Sequence, residues 1–201
     1  MALGKHNVRV RALAERVARK LGNAIVAPVI AYVPEGSVNP PTGHMRYPGT
    51  ITVPNDAYRK ILASAAQSMK LAGFRDIVFL GDSGDYQKDN EAVALALDRE
   101  WKSTPARAHA IAEYYRAATV EFAESLKQQG YSAAEIGPHA GVADTSLMLA
   151  VDPSLVRNDK MAPGPGVGGD PRRASAALGN AAIDNIVNKT VAAIRAATVS
   201  H

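Results

Sequence analysis

Residues 74–87 read FRDIVFLGDSGDYQ, and this stretch decides the fold. A charged lead, Arg75 and Asp76, gives way to the apolar run Ile77 to Leu80. Gly81, Asp82, Ser83, Gly84 and Asp85 then form a turn into a helical pattern that reaches Trp101. A short apolar run closed by a Gly/Asp turn and followed by a helix is a buried strand entering its crossover. The pattern recurs on both sides. Downstream, Ala106 to Ala112 reads as a strand and Tyr114 to Gln129 as a helix. Upstream, residues 25–33 (IVAPVIAYV) read as a strand, and Asn55 or Asp56 caps a helix that runs to Ala72 and stops at Gly73. Alternating strands and helices imply right-handed crossovers and a layered α/β/α fold with a mainly parallel sheet. Ligands in such sheets bind beyond the carboxyl ends of the strands. That rule selects the loops after Val33 and Leu80, and the expected working surface is the loops 34–49, 81–87 and 137–146.

The rest of the chain fits one domain over residues 1–201. Val8 to Leu21 is an amphipathic helix stopped by Gly22; its polar lead-in, LGKHN, suggests that a further element normally precedes it. Residues 161–175 (MAPGPGVGGDPRRAS) form a Gly/Pro loop that offers backbone N–H groups as an anion cradle. An Ala-rich helix from Pro171 to Thr198, with a break near Gly179, closes the chain. The formal charge is +4, with Lys and Arg dispersed among Asp and Glu, so nothing marks a nucleic-acid surface. Cysteine is absent, which excludes disulfides, thiolate metal sites and a Cys nucleophile. No apolar run reaches the roughly 18 residues of a membrane span. The expected location is cytoplasmic as written, or exported if the natural chain begins upstream with a signal peptide.

Four polar clusters carry the candidate chemistry: Lys5 with His6; Glu35 with His44 in the long loop PEGSVNPPTGHMRYPGT; Asp82, Ser83 and Asp85 with the neighbouring Tyr86; and His139 with Asp144. On residue types alone, Asp82 and Asp85 serve turn geometry and N-capping as readily as ligation. His44 serves as a loop hydrogen-bonder, and Asp144 before Thr145 and Ser146 serves as a helix cap.

The order GFRDIV, a Gly/Asp-rich turn, HAGVADTSLMLAVDPSLVR (139–157) and GDPRRA, with PGTITVP (48–54) upstream, resembles the creatininase (creatinine amidohydrolase) family over roughly residues 4 to 180. The resemblance implies homo-oligomers and a two-metal site that activates water against a cyclic amide or related C–N bond. Its first Glu and His ligands would lie before Met1, and its bridging Asp falls on His6. Ser83 stands where a His ligand is expected, Asp85 where some members carry an acidic ligand, and Val142 at a place that is often acidic. The implied metal set is therefore His6, Asp82 and Asp85, with His139 as acid/base, and Glu35, His44, Tyr86 and Asp144 as substrate contacts. Two ions need more His and carboxylate donors than this set supplies. The divalent metal, zinc or manganese, is thus expected to be weakly held or absent.

Three functions remain in view: a small-molecule amidohydrolase of this kind, a non-catalytic binding or assembly protein on the same fold, and a serine hydrolase. The last rests on FLGDS, which resembles the nucleophile block of GDS-type esterases with Ser83 as nucleophile. Such enzymes supply a late Asp-x-x-His, and that pattern is absent from the sequence. Nucleic acid and membrane are not expected as partners.

Overall fold

Most of the expected elements form, and the departures come where an element needs a partner that sequence does not name. The structure, a computed structural model, describes residues 1–199. Its helices are α1 (Lys5–Leu21), α2 (Asn55–Leu71), α3 (Gln87–Trp101), α4 (Ala112–Arg116), α5 (Phe122–Gln128), α6 (Ala133–Ile136), α7 (Val142–Val151) and α8 (Ala176–Thr198). Its strands are β1 (Asp76–Phe79) and β2 (Arg107–Ala110). A wide π turn at Ala117–Glu121 separates α4 from α5. The chain divides into two compact units.

The first unit to consider holds residues 30–115 with the last turns from Thr190. Here β1 and β2 pair in parallel, Asp76 opposite Arg107 through Phe79 opposite Ala110, with α3 as the crossover. Tyr58, Leu62 and Ala66 of α2 pack with Ile77 and Phe79 of β1 and with Val93, Leu97 and Trp101 of α3. Asp98 on α3 accepts the Ala108 N–H at 2.8 Å, which ties the crossover to β2.

Residues 25–33, expected as a strand, carry no strand pairing. One backbone bond, Val53 N–H to the Val33 carbonyl, marks their end. A β-branched composition favours a strand, but a strand exists only where a neighbour completes its ladder. Pro28 also removes one of the donors. Ile30, Val33 and Val53 still pack against the core.

The other unit holds residues 1–29 and 116–189. Arg9, Leu13 and Val17 form the buried stripe of α1, and Val142, Leu147 and Met148 the buried side of α7. Arg9 donates to Asp144 at 2.8 Å and Lys5 donates to its other oxygen. The expected break near Gly179 is absent: α8 runs unbroken from Ala176. Gly179 instead lets α8 meet α7, because a Cβ there would lie 1.9 Å from the Ser146 carbonyl oxygen. Pro171–Arg173 form a separate 3-10 turn that Asp170 caps.

Two stability predictions follow from this packing. Gly179→Ala gains about 1 kcal/mol of helix propensity, but a methyl against backbone costs about 3 kcal/mol, the upper end for overpacking. Urea denaturation should show a net loss of about 2 kcal/mol, and a gain in stability would refute the close approach. For Asp144, burial opposes ionisation, yet Lys5 and Arg9 hold its carboxyl well below the usual carboxylate range. The folded state thus binds its proton less readily than the unfolded chain, whose value is near 3.8. The stabilisation is fully present above that value and is lost as pH falls further. Asp144→Asn should cost about 3–5 kcal/mol at neutral pH by leaving two cations uncompensated. The deficit should shrink in acid, and a pH-independent deficit would overturn the ion-pair account.

Candidate functional site

The loop after Val33 is long and rich in Pro and Gly, so regular structure cannot hold it. It folds back on itself instead. Gly36 takes φ 121°, and a Cβ there would sit 2.2 Å from the Thr42 carbonyl oxygen, so the turn closes only on glycine. Gly43–Arg46 form a 3-10 turn, and the His44 N–H donates to the Glu35 carbonyl at 3.0 Å. Two residues nine apart in sequence are thereby joined backbone to backbone.

Their side chains meet as well. His44 Nδ1 lies 2.5 Å from Glu35 Oε2 and 3.1 Å from Asp85 Oδ2. One ligand atom from each residue falls within 4.8 Å of the other two. An ionised carboxylate only accepts, so Nδ1–H donates to Glu35, with Asp85 at ion-pair distance from the same nitrogen. Glu35 and His44 are half-buried and Asp85 is exposed. Burial raises the Glu35 carboxyl above its ordinary value, His44 opposes that rise, and Asp85 adds to it.

Asp85 reaches this place because the turn after β1 is rigid. The Tyr86 hydroxyl accepts the Asp82 N–H at 3.0 Å, and Tyr86 packs on Tyr58 with ring centres 5.3 Å apart. Burial pushes the Tyr86 phenol well above its ordinary value, which keeps it protonated and able to donate. The Gln87 side chain donates to the Gly81 and Ser83 carbonyls at 3.0 and 2.7 Å. Asp82 is buried and accepts from the Tyr114 hydroxyl at 3.0 Å. The Ser83 hydroxyl accepts the Asp85 N–H at 3.4 Å. Among the described residues no imidazole is hydrogen-bonded to it, and its observed partner is its own turn.

The remaining expected residues lie in the unit that contains α1 and α7. The His139 carbonyl accepts the Gly168 N–H at 2.8 Å, and the Glu135 carbonyl accepts the Asp170 N–H at 3.0 Å. The amide of Gly168 thus holds the loop 137–141 at His139, and that of Asp170 holds α6 at Glu135. Ala140 takes the unusual φ of 54°, with its N–H on Asp144 at 2.9 Å and its carbonyl on the Thr145 hydroxyl at 3.1 Å. Asp144 does not cap α7, whose N-cap is Gly141 with no side-chain bond; from inside the first turn it holds Ala140 and takes the charges of Lys5 and Arg9. Arg9, which the sequence reading did not single out, lies 2.9 Å from His6 Nδ1.

Of the expected metal residues, the three-donor group includes Asp85, while its other members are Glu35 and His44 in place of His6 and Asp82. Two carboxylates and one imidazole are the mixed oxygen and nitrogen donors that borderline divalent ions such as zinc and manganese accept. Three protein donors that leave positions open suit one ion. The sequence signal for this pairing was the spacing Glu35-Gly36…Gly43-His44, two glycines facing each other across one loop.

The creatininase model, described as creatinine amidohydrolase, matches residues 1–194. No curated protein matches the chain. Among solved structures, the chain resembles a Glu-to-Gln mutant creatininase of Zn–Zn type, with TM-score 0.74 and 22% identity. It also resembles a manganese creatininase, with TM-score 0.72 and 22% identity, and a Glu-to-Gln mutant creatininase complexed with creatine, with TM-score 0.70 and 21% identity. Each alignment covers 96% of this chain, with 83% of the Zn–Zn type structure and 84% of the other two. These likenesses establish a layered α/β fold shared with creatininases, and the match over nearly the whole length shows that the chain belongs to the creatininase (creatinine amidohydrolase) family.

Proposed function

We propose that this chain carries a single-ion hydrolase site of the creatininase type, in which Glu35, His44 and Asp85 hold one divalent ion beside a small cyclic amide or related C–N substrate. The convergence of those three donors within 4.8 Å carries the reading. When bound, such an ion supplies Lewis-acid polarisation of a carbonyl and acidifies water. The creatininases similar to this chain include zinc and manganese forms and a creatine complex, which supports both the metal and the small-molecule substrate.

The chain's own residues have distinct tasks in this reading. His44 gives up the proton it donates to Glu35 and offers Nδ1 as the nitrogen donor. Glu35 and Asp85 neutralise the ion's charge. The protonated Tyr86 phenol is a hydrogen-bond donor for a substrate carbonyl. The family resemblance assigns acid/base work to His139 by its place in the HAG segment, and within that unit Asp144 holds the segment in shape. His6 and Asp82 stay in the proposal as supporting polar groups, since Arg9 and Tyr114 already engage them.

A second reading, a non-catalytic binding protein, is favoured by one observation: at position 83 a serine hydroxyl turned to the Asp85 N–H replaces the imidazole of the family pattern. We also propose a homo-oligomer, which the exposed Ile25, Tyr32 and Leu95 side chains would suit. Light scattering at micromolar concentration should give a mass above 21.2 kDa; a monomer would refute the assembly.

Elemental analysis after loading with manganese or zinc should find one ion per chain, removed by dialysis against chelator. His44→Ala should weaken binding by more than about 100-fold, beyond what loss of an outer partner costs. Ser83→His should raise retention by placing an imidazole beside Asp85. Two ions that survive chelator in the unaltered chain would overturn the single-ion reading. Hydrolysis of cyclic amides by the loaded protein, abolished in His44→Ala, decides for the enzyme, and full metal binding with no hydrolysis decides for the binding protein.

A further inference from the structure

The loop from Pro34 to Thr50 brings Glu35 and His44 together with only the short 3-10 turn Gly43–Arg46 as regular structure, so other bonds must fix it. Its base is the bond from the Val53 N–H to the Val33 carbonyl, 3.3 Å. One step inward, the Thr52 hydroxyl does two things at once: it accepts the Glu35 N–H at 2.9 Å and donates to the Gly36 carbonyl at 3.0 Å. The Thr50 hydroxyl donates to the His44 carbonyl at 2.9 Å. The innermost rung is the bond from the His44 N–H to the Glu35 carbonyl. Each residue of the pair is thus held on its backbone by a hydroxyl from the segment PGTIT.

We propose that Thr50 and Thr52 are positioning residues of the Glu35–His44–Asp85 centre, their hydroxyls fixing the backbones from which the two loop donors project; the proposal rests on the single-ion reading given above. A threonine suits the task because one hydroxyl supplies a donor and acceptor capacity together, and its branched Cβ restricts χ1. Valine keeps the shape and loses both bonds at Thr52, leaving the Glu35 N–H and the Gly36 carbonyl without that partner. Neither hydroxyl touches the donor atoms, so the effect runs through geometry: outer partners that orient ligands typically govern about 10–100-fold in metal affinity.

The experiment uses the full chain. Manganese binding by calorimetry is compared for the unaltered protein, Thr52→Val, Thr52→Ser, Thr50→Val and the double variant Thr50→Val/Thr52→Val, with backbone amide exchange measured on each metal-free protein. Thr52→Val should weaken binding about tenfold and the double variant towards about 100-fold. Thr52→Ser, which keeps the hydroxyl, should recover most of the loss. The Glu35 amide should exchange faster in Thr52→Val and remain protected in Thr52→Ser. Unchanged affinity in Thr52→Val, with measurable binding in the unaltered protein, overturns the positioning role. So does equal loss in Thr52→Val and Thr52→Ser, since shape and not the hydroxyl would then be at work. If the unaltered chain binds no manganese or zinc at all, the single-ion reading fails. Amide protection at Glu35 then still decides whether the hydroxyl clamps the loop.

Discussion

His44 Nδ1 stands between the carboxylates of Glu35 and Asp85, and the local architecture of the residue 30–115 unit serves that arrangement. The parallel pair β1 and β2 delivers the turn that carries Asp85. The Tyr58–Tyr86 contact and the Gln87 side chain keep that turn from relaxing. The folded-back loop delivers the other two residues, joined by the His44 N–H to Glu35 carbonyl bond and by the Thr50 and Thr52 hydroxyls. Two carboxylates drawn together, one of them half-buried, repel each other and lose hydration, so the place demands a positive partner. In the chain alone the imidazole proton fills that demand. Under the single-ion proposal, a divalent ion would answer the same demand with more charge.

How legible this was depends on which part is asked about. The run IVFL with its GDSGD turn was readable because its strand and helix periods are local, and β1 and α3 lie where the pattern put them. The segment IVAPVIAYV has the same local character and forms no strand, because pairing is a property of a neighbour and not of the segment. Gly179 shows the converse. It reads as a helix break in isolation, yet the reason for it is the Ser146 carbonyl lying against that face of α8. At the site, Glu35, His44 and Asp85 were each identified from residue type and loop position, but as members of different sets. Their meeting depends on the φ 121° at Gly36 and on the hydroxyls of PGTIT. No periodicity encodes such long-range loop closure. The PGTITVP motif could be matched to a family, while its work as a clamp could be seen only in the bonds it makes.

The polar lead-in LGKHN, odd as the start of an amphipathic helix, has a physical explanation in the other unit. Asp144 is buried at the first turn of α7, where it holds the loop after His139, and a buried carboxylate needs compensation. Lys5 and Arg9, one helical turn apart on α1, provide it together. The same geometry bears on His6. Its Nδ1 faces the Arg9 guanidinium, which can only donate, so that lone pair is engaged by a proton and is not open to an ion while the contact lasts. The position where the family pattern would put a bridging carboxylate is thus occupied by a residue wired into the α1–α7 ion pair. Ser83, where that pattern has an imidazole, is wired into its own turn. At both positions the side chain accepts a local hydrogen bond. Among the described residues, the donors that do gather are Glu35, His44 and Asp85, on the loops after Val33 and after β1.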